Sequence, residues 1–126
     1  MTIPHLCLLI VVVLPFPWIM LAKVSKRYDN AVPRTYLAGL QGWRARAHAA
    51  HQNAWEALAM FTAAIVVAGQ AGGSGSSPWI NWLAITFVVA RVLHGVLYVA
   101  NLAPLRSLVW FVGVACVLSM FFVSMN

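Results

Sequence analysis

Four long apolar stretches alternate with three polar or small-residue connections along the chain. The first, residues 3–22, holds no lysine, arginine, aspartate or glutamate, and its 20 residues can cross the hydrocarbon of a bilayer as one helix. It has neither a basic segment ahead of the apolar run nor a small-residue cleavage site before Lys23, so it reads as a span rather than a secretory leader. Pro15 and Pro17 predict a kink within it. The second stretch, 43–68, is polar in its first half and apolar in its second. That asymmetry predicts a helix that starts outside the hydrocarbon or lines a cavity in a bundle. The third, 79–102, carries Trp79 and Trp82 as interfacial anchors and is expected to stop at Pro104. The fourth, 105–125, is charged only at Arg106. The connection between the third and fourth stretches is very short, which predicts antiparallel neighbours. Residues 23–41 read as a polar connection with Asn30 and Pro33 as breakers, and Gly69–Pro78 as a flexible, uncharged loop. The expected fold class is all-α: a four-helix transmembrane bundle forming one domain over 1–126.

Composition supports this. Hydrophobic residues make up 63% of the chain and charged residues 8%, against about 25% charged in soluble domains. The net charge of +6 does not point to nucleic acid, because the basic residues sit at the ends of apolar runs, where they set orientation and meet lipid headgroups. The first and third connections carry lysine or arginine and the second carries none, so both termini are expected on the periplasmic or lumenal side. Cys7 and Cys116 lie within apolar runs without metal-ligand spacing and read as small buried hydrophobes. No metal cluster, glycine-rich phosphate loop or nucleophile–base–acid signature is present in the sequence.

Candidate chemistry rests on polar residues inside the spans. Arg46, Asn53 and Glu56 are 7 and 3 residues apart. At about 100° per residue they share one face of the second helix, within roughly 80° of arc. Glu56 is the only glutamate in the chain, and a lone carboxylate at the border of a membrane-grade run costs about 2.5 kcal/mol or more unless paired. Arg91, the basic residue deep in the third stretch, is the expected ion-pair partner. Arg91, His94 and Tyr98 are 3 and 4 apart, one turn after another on one face. Arg106 and Ser107 open the fourth helix. Together these residues describe a half-buried polar pocket suited to a small zwitterionic or multiply anionic ligand, with arginines for carboxylates and Glu56 for an ammonium. His48 and His51 lie off that face and are expected to be solvated or to touch headgroups.

Asn53-x-x-Glu56 with Arg46 upstream, Arg91-x-x-His94-x-x-x-Tyr98 and Arg106-Ser107, in that order on successive helices, resemble the MAPEG family, the membrane-associated proteins in eicosanoid and glutathione metabolism. The resemblance covers the whole chain and is that of a small bacterial-type member. It implies a homotrimer of four-helix protomers in the bacterial inner membrane, with glutathione as co-substrate bound between subunits. It also implies that Arg46, Asn53, Glu56, Arg91, His94, Tyr98 and Ser107 line the glutathione site and that Arg106 faces the sulfur as the catalytic residue. The implied activity is that of a glutathione transferase or peroxidase acting on a lipophilic molecule that arrives through the bilayer. The family's helix-two box usually begins with arginine where this chain has Ala49, and some members carry a tyrosine near the position of Trp110. Two other readings stand beside the enzyme: a small four-span transporter that exchanges protons at Glu56, and a catalytically silent membrane scaffold.

Overall fold

The computed structural model describes residues 1–71 and 77–125. Among them are six helices: α1 (Ile3–Val13), α2 (Pro15–Lys23), α3 (Pro33–Ala38), α4 (Gly42–Ala71), α5 (Pro78–Val99) and α6 (Ala103–Met125). Among the described residues, four segments are long and apolar enough to cross a membrane: α1 and α2 taken together as Ile3–Lys23, then α4, α5 and α6. The chain is therefore an all-α, multi-pass membrane bundle.

Each junction has a local cause. The first span breaks at Leu14, which keeps helical angles (φ −57°, ψ −31°), because Pro15 and Pro17 each remove a backbone donor. The connection 23–41 is more than a polar loop: Pro33 opens α3, and buried Leu37 docks it on Ala22 and Ala47 at the ends of α2 and α4. The second helix runs on to Ala71, three residues past its expected end, and Pro78 opens α5. Of the loop expected over 69–78, residues 72–76 lie outside the described residues.

The third helix does not wait for Pro104. It stops at Val99, where Asn101 takes a left-handed conformation (φ 62°). The Leu102 N–H then donates to the Leu97 carbonyl (3.0 Å), and the Asn101 N–H to that of Tyr98 (3.2 Å). This pair of bonds is a Schellman ending. Pro104 falls in the first turn of α6 instead, where its missing N–H costs nothing.

α4 is the element the others pack around. Ala47, Ala50, Ala54, Ala57, Phe61, Ala64, Ile65 and Ala68 form its buried stripe. Small residues at helical spacing let membrane helices approach closely, since lipid offers no hydrophobic force between them. At the centre, the Phe61 and Phe87 rings stack at 4.3 Å, 3° from parallel, with Val11 and Met120 against them. Leu9, Val66, Val89, Leu93, Val96 and Phe122 face outward, as a lipid-facing surface requires.

Two glycines contribute oppositely. A methyl group added at Gly95 would overlap the indole of Trp18, so α5 can lie against α2 only without a side chain there. At Gly113 the added methyl would meet Phe87 and Arg91 at 3.7 and 3.8 Å, ordinary contact. Gly95→Ala is thus expected to destabilise the bundle by about 1–3 kcal/mol through overpacking, whereas Gly113→Ala gains about 0.5–1 kcal/mol from reduced backbone freedom. Unfolding titrations in mixed micelles measure both. Equal destabilisation by the two substitutions, or a Gly95→Ala loss that Trp18→Leu leaves unrescued, contradicts this packing.

Candidate functional site

The buried guanidinium of Arg91, 4% exposed, is the centre of the polar network. Its Nη2 donates to Asn53 Oδ1 at 2.6 Å and lies 3.5 Å from the Asn53 carbonyl. Asn53 Nδ2 in turn donates to Glu56 Oε2 at 3.3 Å. This corrects the expected direct Glu56–Arg91 ion pair: the amide stands between the charges and relays one to the other. The reason is angular. Glu56 follows Asn53 by three residues, about 60° short of a full turn of the helix, which turns its carboxylate onto the exposed flank of α4. The side chain that faces α5 squarely is Asn53.

The Schellman ending of α5 builds the second part of the site. It reverses the chain within a few residues and brings the start of α6 back over the last turn of α5. The Arg106 guanidinium carbon lies 4.3 Å from the centre of the Tyr98 ring, a cation–π contact, and the His94 ring meets Tyr98 edge-on at 5.6 Å. A cavity of about 350 Å³ opens beside these groups, lined by Asn53, His94, Tyr98, Arg106, Ser107, Trp110 and Phe111. His94 is 3% exposed, and its Nδ1 has no hydrogen-bond partner. A buried ring nitrogen without a partner costs on the order of 1–3 kcal/mol. The lining combines a guanidinium, a phenol, an imidazole, an amide and a hydroxyl with an indole and a phenyl ring, packed edge-to-face at 5.1 Å. The space suits a polar molecule that carries, or meets, an apolar one.

Not every candidate borders this space. Asn53, His94, Tyr98, Arg106 and Ser107 do. Arg91 lies behind Asn53, and Glu56 lies on the outer flank. Arg46 instead donates its Nε to the Val99 carbonyl at 3.1 Å, satisfying a terminal carbonyl that the Schellman bonds leave free. It fastens the end of α5 rather than facing the cavity. Trp110 and Phe111 were not legible as lining residues, although both fall three or four residues after Arg106 or Ser107 on the same helix. His51 is half-buried and also makes an internal contact. Its Nδ1 is 2.9 Å from the Pro15 carbonyl, which can only accept, so Nδ1 carries the proton. His48, His51, Trp55 and Phe16 continue as a run of ring contacts between α4 and α2. Among the described residues no group of three or more His, Cys, Asp or Glu side chains gathers as a metal site would need.

The fold and this cavity define a class: a four-span helical membrane protein with an arginine-bearing polar pocket near one end of the bundle. The MAPEG family model matches residues 3–126, and the chain belongs to the MAPEG family. Comparison with curated proteins and with solved structures gives no match.

Proposed function

We propose that this protein is a glutathione-dependent membrane enzyme of transferase or peroxidase type, acting on lipophilic electrophiles or hydroperoxides from the inner leaflet of a bacterial inner membrane. The observation that carries the reading is the placement of Arg106 over Tyr98 at a polar cavity that Asn53, His94 and Ser107 also line. Glutathione carries two carboxylates, an ammonium and a thiol. Arg106 supplies a fixed positive charge for the sulfur. A thiol near pKa 8.5 is mostly protonated at neutral pH, and a neighbouring cation favours the thiolate, which is the nucleophile. Tyr98, His94 and Ser107 offer hydrogen bonds around it. Asn53 and Glu56 receive the peptide end, Glu56 taking the ammonium. Arg91 acts through Asn53 as a positioning residue, and Arg46 through the end of α5.

Assembly as a homotrimer belongs to the same proposal. Glu56 is exposed on the protomer surface midway along a membrane helix. A carboxylate facing lipid there costs about 2.5 kcal/mol or more, and a neighbouring subunit together with the bound ligand would cover it. The termini would then face the periplasm.

Purified protein mixed with glutathione and a chlorinated nitroaromatic is expected to release chloride and form the thioether. The sulfur bonds the ring carbon, chloride leaves with the bonding electrons, and the thiol proton passes to solvent. Absence of both conjugation and glutathione binding in a correctly folded sample overturns the proposal.

A further inference from the structure

A second cavity, of about 470 Å³, shares no residue with the first. It forms where the connection after α2 and helix α3 fold over the start of α4, at the end of the bundle where Arg46 holds Val99. Its polar lining is Ser25, Arg27, Thr35, Tyr36, Gln41 and Arg44.

Charge is unbalanced here. The chain has two acidic side chains, Asp29 and Glu56, and neither lines this space. Asp29 is engaged with the Ala31 N–H (2.9 Å), and Glu56 with Asn53. Arg27 and Arg44 therefore share a cavity with no counter-ion among the described residues. Arg44 is also held in place. Its guanidinium carbon lies 5.1 Å from the Trp43 ring centre, and its Nε is buried without an acceptor. The first turn of α4, the positive end of a 30-residue helix, contains no acidic residue. The Ser25 hydroxyl oxygen accepts from the Arg27 N–H (3.1 Å), which leaves its proton free to donate.

Two guanidiniums, three hydroxyls and an amide around one space call for an anion with several acceptor oxygens. A carboxylate offers two oxygens, enough for one guanidinium fork; a phosphate offers three or four, enough for two forks and a hydroxyl. We propose that this cavity binds a phosphate group, carried either by a phospholipid headgroup or by a soluble phosphate compound. The lipid source has a geometric rationale, since the cavity opens where the first two spans leave the apolar region.

The test uses the full chain. Its thermal unfolding is followed in phosphatidylcholine nanodiscs, with inorganic phosphate against chloride at matched ionic strength, and again in discs containing phosphatidic acid. A phosphate site predicts a saturable rise in melting temperature whose apparent affinity weakens about tenfold or more in Arg44→Gln and in Arg27→Gln, the loss of one charge-assisted bond. A lipid source predicts that phosphatidic acid stabilises the protein and that inorganic phosphate then adds nothing. A soluble source predicts equal stabilisation by inorganic phosphate in both discs and none from phosphatidic acid. Arg27 is exposed, so its variant remains informative should Arg44→Gln fail to fold. The proposal is overturned if neither phosphate nor phosphatidic acid shifts the melt, or if the Arg27→Gln response equals that of the wild type. Glutathione titration of Arg27→Gln, expected to match the wild type, separates this site from the first cavity.

Discussion

Arg106→Ala is expected to lower glutathione-dependent conjugation about 100-fold at neutral pH, the scale of losing one preorganised charge beside a developing or resident anion. The sign with pH follows from the chemistry. A fixed cation stabilises the thiolate and lowers the bound thiol's pKa, so removing it raises that pKa toward the free value of about 8.5. The rate of the variant should therefore climb through a higher midpoint, and the gap to the wild type should narrow as the solution becomes alkaline. Arg106→Lys keeps the charge and should recover part of the rate, but not the flat contact with the Tyr98 ring. Stability should move little, because a half-buried cation–π contact is worth about 0.5–2 kcal/mol. Turnover and glutathione affinity across pH, measured on samples of unchanged melting temperature, check this. An unshifted pH profile with unchanged turnover excludes Arg106 as the activating group.

Asn53→Leu should produce the largest stability loss of any single change in the polar network. Leucine keeps the branching at Cγ but removes the acceptor at 2.6 Å from Arg91 Nη2. The charged donor then keeps only the Asn53 main-chain carbonyl at 3.5 Å, at a cost of about 1–3 kcal/mol. Glu56→Gln should cost far less, within about 1 kcal/mol, because Glu56 is exposed and keeps an acceptor oxygen for Asn53 Nδ2. Asn53→Leu combined with Arg91→Met should be less damaging than Asn53→Leu alone, since replacing both partners by apolar groups is often close to neutral. Unfolding in mixed micelles yields all three values and their coupling energy. If Glu56→Gln proves as damaging as Asn53→Leu, or the double change is additive, the relay through Asn53 is not what stabilises Arg91.

The contrast between these residues shows how far the sequence could be read. Helical spacing placed Arg91, His94 and Tyr98 on one face, and His94 and Tyr98 do border the cavity while Arg91 lies one layer behind. Spacing also grouped Arg46 with Asn53 and Glu56. An arc of roughly 80°, however, is wide enough to send one side chain to a neighbouring helix end, one into the interface and one to the outer surface. Pro104 illustrates the same limit. Proline signals a boundary, but it is equally at home in a first helical turn, so its presence alone could not say which helix it belonged to. The left-handed Asn101 decided that, and with it the meeting of Arg106 and Tyr98.

What the sequence determined by itself is the set of spans, their near-antiparallel order and the polar residues within them. Hydropathy over twenty residues and charge at the ends are local properties, and in a bilayer an apolar run of that length satisfies its own backbone only as a helix. Only the tertiary structure decided which polar groups touch. It placed Asn53 between Glu56 and Arg91, turned Arg46 to the end of α5, closed Trp110 and Phe111 around the first cavity and folded the basic connection into a second. Those contacts depend on how far each helix is rotated and where its neighbour stops, quantities set by packing among several segments at once.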